Sequence, residues 1–173
     1  MNHDAYDDAY VAEILNTVRT IAVVGASAND VRPSYFVTKY LIDKGYEVFP
    51  VNPGHAGREI LGRMTYASLA DIPVAIDMVD VFRAASAVPA IIDEVLNLDP
   101  LPKVVWMQLT VRNDEAAARA EAAGIKVVMN RCPKIEYARL AGEIGWTGVN
   151  SGVLSSKRPV MRQGFQSFGI RTE

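Results

Sequence analysis

An α/β fold with a doubly wound, parallel five-stranded sheet is what this sequence predicts, on three observations. Five short apolar or β-branched runs recur along the chain, each followed by a segment with helical spacing. Several runs are apolar at consecutive rather than alternate positions, the pattern of strands covered on both faces. The first run, Ile21-Ala22-Val23-Val24, stops at Gly25-Ala26-Ser27 and leads into Arg32-Pro33-Ser34. That is the order strand, tight turn, helix start.

Each element follows from local chemistry. Residues 7–18 place Val11, Ile14, Leu15 and Val18 on one face of a leading helix. Residues 21–24 form the first strand, and Pro33 suits the first turn of a helix that continues over 35–44 and closes at Gly45. Residues 46–51 form the second strand, stopped by Asn52-Pro53-Gly54. Residues 59–69 read as an irregular excursion ending in a helical turn. A third strand is predicted over 74–81 and a helix over 84–98, with Pro89 early in it. Pro100 and Pro102 mark the next connection, to a strand over 103–108. An Ala/Glu/Arg helix over 113–123 ends at Gly124, residues 125–129 form the fifth strand, and 133–141 a last helix. The domain is thus predicted over 7–141. From 142 to 173 repeated Gly and Ser interrupt any period while Lys157, Arg158, Arg162 and Arg171 add charge, so an extension is expected there, flexible or packed on a partner.

Composition narrows the function classes. A chain of 173 residues, 50% hydrophobic and 22% charged, is long enough for a core without staples. A net charge of −2 argues against a sequence-independent nucleic-acid binder. No apolar stretch approaches the ~20 residues needed to cross a bilayer, so no membrane partner is expected. The acidic, Tyr-containing start is unlike a secretory signal, and a lone Cys132 suits a reducing compartment, so a cytoplasmic location is expected. A homodimer is the commonest assembly for such a domain, although the sequence places no interface.

In this architecture ligands bind beyond the carboxyl ends of the strands. After the first strand, backbone amides of the Gly25–Ser27 turn and the Ser27 hydroxyl are candidates for a pyrophosphate, with Arg32 nearby. The plainer alternative is that Gly25 permits the turn and Ser27 caps the helix. A dinucleotide fingerprint would need further glycines where Ser27 and Asp30 stand, and an acid where the second strand ends in Asn52. Both features argue against NAD, although Arg58 leaves a 2′-phosphate open. The third strand ends in Asp80-Val81-Phe82-Arg83, where Arg83 is a phosphate candidate and Phe82 a flanking surface. The fourth ends in Trp106-Met107-Gln108, with Trp106 in the core and Gln108 turned to the crevice. Cys132, just before a helix, is either a thiol with a lowered pKa or a small buried hydrophobe. His3 and His55 stand apart, and neither metal-ligand spacing nor a Gly-x-Ser-x-Gly elbow is present, so no catalytic or metal-ligating residue is assigned.

These motifs, taken in order with Val51-Asn52-Pro53 and Arg131-Cys132-Pro133, resemble the stand-alone CoA-binding domain family over residues 11–140. The family is similar in fold to the N-terminal CoA-binding domain of the succinyl-CoA synthetase α subunit. Each motif alone is weak, but six in register are specific. The resemblance implies a Rossmann-like domain binding coenzyme A or an acyl-CoA. By that likeness Gly25, Ala26 and Ser27 hold the pyrophosphate, and Arg32 and Ser34 support the phosphates. Asn52 and Pro53 lie along the adenosine, facing Phe82 and Arg83. Gln108 joins them at the crevice. Two departures concern the acyl or pantetheine end: Thr110 stands where family members often have Gly, and Asn130 where they often have Asp. A phosphohistidine domain has no room in this chain. The expectation is therefore a nucleotide-ligand binder with a sensing, carrier or regulatory role. The alternatives are an NAD(P)-dependent oxidoreductase, a thiol protein using Cys132, and a subunit whose crevice has lost its ligand.

Overall fold

β1 (Thr20–Val24) buries four of its five residues, as its β-branched, consecutively apolar sequence requires. It lies between β2 (Glu47–Val51) and β5 (Met78–Val81), followed outward by β6 (Val104–Met107) and β7 (Lys126–Val128). All four pairings are parallel, so the sheet order is β2-β1-β5-β6-β7. The computed structural model describes residues 2–143, so the predicted extension falls outside the described residues except for its first two positions.

Helices cover both faces, and side-chain parity sorts the core accordingly. Ala22, Val79, Val105 and Val127 point to one layer with α3 (Val88–Leu96) and α4 (Asp114–Ala122). Ile21, Val23, Met78 and Trp106 point to the other, with α1 (Asp8–Thr17), α2 (Pro33–Asp43) and α5 (Pro133–Leu140). Ile21 and Val23 are fully buried, each worth about 2 kcal/mol of transfer free energy. Pro50 is tolerated because β2 is an edge strand.

Three expectations shift. The third strand begins at Met78 rather than 74, because Met78 pairs with Ile21 and β1 has almost no residue left beyond it to pair with. Asp77 instead closes that edge, accepting from the Arg19 and Thr20 amides at 2.7 and 3.3 Å. The helix expected from 84 begins as a 3-10 turn, Ala85–Ala87, and Pro89 stands in the first turn of α3, where a missing N–H costs nothing. The irregular excursion contains a small antiparallel hairpin, β3 (Glu59–Ile60) with β4 (Arg63–Met64), turning on Leu61 and Gly62 at positive φ. Strands this short carry no periodicity to read.

Candidate functional site

β1 marks the point where the chain reverses its direction of growth, toward β2 on one side and β5 on the other. A crevice must open between the loops that leave it. The structure has a cleft of about 890 Å³ there, within the range of small-molecule sites. Gly25, Ala26, Ser27, Arg32, Ser34, Asn52, Phe82, Arg83 and Gln108 all line it. Pro53 borders instead a second cavity of about 240 Å³, which adjoins the first through Gly25, Asn52 and Arg83.

Gly25 has a φ of +88°, and a Cβ there would lie 2.6 Å from the Phe82 carbonyl oxygen. The loops after β1 and β5 approach so closely, with Phe82 N–H bonded to Val24 O at 2.8 Å, that only glycine fits. The amides of Gly25 and Ala26 are not free: both donate to Val51 O, at 2.9 and 3.3 Å. Their part is to shape the turn. Ser27 does not cap α2, whose N-cap is Arg32. Its hydroxyl accepts from the Asn29 amide at 3.1 Å, and Asn29 Oδ1 accepts from Val31 at 3.1 Å, two local turns that set the loop.

Donors for an anion therefore sit slightly further along than the sequence implied. Among the described residues no acceptor takes the amides of Ser27, Ala28 or Ser34, and Ser34 lies in the first turn of α2, where the helix dipole favours negative charge. Arg32 and Arg83 pair with no carboxylate of the described residues. Two uncompensated guanidinium groups and a helix start thus face one cleft.

Asn52 has a structural task at this site. Its Nδ2 donates to Ala26 O at 2.7 Å and its Oδ1 accepts from the Gly54 amide at 2.9 Å, tying the end of β2 to the turn after β1. An aspartate could not make the first bond, because a carboxylate has no donor.

The β6 end of the cleft holds what the sequence reading did not connect. Asp80 is fully buried, and Gln108 Nε2 donates to its two carboxylate oxygens at 2.9 and 3.1 Å. Burial pushes the Asp80 pKa up to about 8, against a lowering by the Gln108 bond. The available signal was an acid inside an otherwise apolar strand, at the parity of the next strand's glutamine. Thr110 also lines the cleft, with an unusual φ of 69° for a β-branched residue. Trp106 is in the core, its indole N–H bonded to Arg131 O at 2.8 Å. Cys132 borders the cleft but is buried, which raises its pKa to about 11. A thiol held that far toward its neutral form is the small hydrophobe of the two alternatives, not an activated nucleophile.

The family model described as a CoA binding domain matches residues 19–138. The chain belongs to this family. The match takes in all five strands of the sheet and every residue of the cleft. The chain is 38% identical over 130 residues to YneT, an uncharacterized protein of Bacillus subtilis (strain 168), covering 75% of this chain and 93% of that one. It is 37% identical over 86 residues to the acetate–CoA ligase [ADP-forming] I subunit alpha of Pyrococcus furiosus, covering 47% of this chain and 19% of that one. A solved hypothetical protein from Pyrococcus horikoshii OT3 superposes with a TM-score of 0.76 at 39% identity, covering 82% of this chain and 97% of its own. The Rossmann-like fold expected from the sequence is thus shared with solved relatives. Among the described residues, no helix is long and apolar enough to cross a membrane.

Proposed function

We propose that the protein binds coenzyme A or an acyl-CoA in the cleft at the carboxyl ends of β1, β5 and β6, in a sensing, carrier or regulatory role without chemistry of its own. The observation that carries this is the convergence of unpaired Arg32 and Arg83 with the free amides of Ser27 and Ser34 on one cleft, within a domain of the CoA-binding family. The pyrophosphate takes the amides and Arg32, the adenosine runs toward Asn52 and Pro53, and Phe82 with Arg83 forms the facing wall. The pantetheine arm follows the remaining length of the cleft toward Gln108. A cytoplasmic location goes with this reading. Against NAD(P), no acid stands at the end of β2 to hold ribose hydroxyls, and the Asn52 amide is committed to Ala26.

Thermal unfolding with CoA, acetyl-CoA, NAD, NADP and ATP side by side tests the reading. A CoA compound at ~100 times its dissociation constant should add about 2.7 kcal/mol of stability, and the nicotinamide nucleotides none. Ser27→Glu, which sets a carboxylate among the free amides, should abolish the shift. A larger shift with NAD or NADP would replace this reading with a dinucleotide one, and no shift with any nucleotide would leave the cleft without a ligand of this class.

A further inference from the structure

Asp80 is an isolated buried acid. It has no exposed surface, no cation of the described residues forms an ion pair with it, and among the described residues Gln108 is the one side chain that donates to it. It sits between Val23 of β1 and Trp106 of β6 in the sheet register. From the layer packed on that face, the Cys132 thiol lies close enough to feel the charge of Asp80, and Lys134, two residues on, stands above the Tyr40 ring at 5.6 Å. Among the described residues the acid thus has a single side-chain donor, and that donor is a residue of the cleft.

The chemistry of the pair fixes the direction of the amide. An ionised carboxylate only accepts, so the Gln108 NH2 group must face it, as it does at 2.9 and 3.1 Å. Gln108 Oε1 is then left without a donor among the described residues, and Gln108 lines the cleft. Protonating Asp80 would give it an O–H that Gln108 Oε1 can accept, which draws Oε1 away from its free position at the cleft.

We propose that Asp80, once ionised, is a positioning residue that holds the Gln108 amide with Oε1 facing the cleft as an acceptor, so that this end of the site selects an amide N–H donor of the pantetheine arm. The inference rests on the CoA reading above. The arm is the part of coenzyme A that carries amides, and the phosphate and adenosine ends are provided for elsewhere in the cleft. Asp80 touches no ligand. It acts by deciding which polarity Gln108 presents, and its own charge decides that in turn.

Calorimetric titration of the full chain with CoA and with adenosine 3′,5′-bisphosphate, which lacks the arm, separates the possibilities. Gln108→Met should weaken CoA about fivefold, the worth of one neutral hydrogen bond, and leave the bisphosphate unchanged. In the wild type the ratio of the two affinities should rise with pH between about pH 7 and about pH 9, as Asp80 ionises. In Asp80→Asn that ratio should be flat. An equal loss for both ligands in Gln108→Met would overturn the proposal, since a purely structural residue behaves so. A flat wild-type ratio, or a slope that persists in Asp80→Asn, would overturn it as well. Should Asp80→Asn fail to fold, the wild-type profile and Gln108→Met decide together. Absence of CoA binding by the wild type is a different failure, because it removes the functional reading itself.

Discussion

The Thr110 amide donates to Asn130 Oδ1 at 2.8 Å, and both residues hold left-handed backbone, with φ of 69° and 53°. The bond joins the exits of β6 and β7 at the edge of the cleft. Asparagine tolerates that conformation, whereas a β-branched residue is strained in it. Thr110→Gly should relieve about 1–2 kcal/mol of strain against about 0.5–1 kcal/mol of added chain entropy. The expected result is a midpoint raised by roughly 2 °C in thermal unfolding, with the cross-strand bond kept because it uses the backbone amide.

Gly25→Ala should do the opposite. Its Cβ would meet the Phe82 carbonyl at 2.6 Å and Arg83 Cδ at 2.9 Å, from a φ of +88°. Backbone cannot give way as a flexible side chain can, so a loss of roughly 3 kcal/mol is expected. Urea denaturation followed by circular dichroism checks it, and a loss below about 1 kcal/mol would contradict the close approach.

Arg32→Ala and Arg83→Ala should each weaken CoA about tenfold, as loss of a charge-assisted phosphate contact does. Both side chains are exposed, so the ligand-free midpoint should hold within about 1 °C. Titrating at low and high salt sharpens the test, because screening should shrink the difference between variant and wild type.

Stability should respond to pH with opposite signs at two acids. Partial burial pushes the Asp77 pKa up, but the Lys103 ammonium at 2.7 Å and the Arg19 and Thr20 amides outweigh it, so the group lies below the usual carboxylate range. Its contribution is present above the unfolded value of about 3.9 and lost as pH falls through the folded one. Asp80, raised to about 8 by burial, behaves the other way. Its burial is free of charge cost below about pH 3.9, and stability declines as pH rises through the folded value. Asp80→Asn should therefore gain on the wild type as pH increases, as read from denaturant midpoints across the range.

The Cys132 thiol should alkylate slowly. It is buried and its pKa is raised to about 11 by that burial, so few molecules carry a thiolate at neutral pH. Mass spectrometry after iodoacetamide should find it unmodified in the folded chain and modified once denatured. Rapid reaction in the folded state would restore the thiol alternative.

Local pattern was enough for the β1 turn, the α2 start at Pro33 and the alternation of strand and helix. A buried strand, a tight turn and a capped helix each leave a signature within about ten neighbouring residues. The same holds for the order of motifs at the strand ends, which brought Gly25, Asn52, Arg83 and Gln108 to one cleft. The hairpin of β3 and β4 escaped because two-residue strands have no period, and the third strand was overextended because its length is limited by β1.

Residue type and spacing settled which elements this chain forms and which residues stand where its strands end, because burial and turn chemistry are local properties. Which atoms remain free at those ends was decided by tertiary structure alone. Val51 O takes the Gly25 and Ala26 amides, the Asn52 amide is held by Ala26 O, and Asp80 claims the Gln108 NH2 group. These bonds join residues about 25 positions apart through the register of parallel strands, and register is set by the packing of the whole sheet.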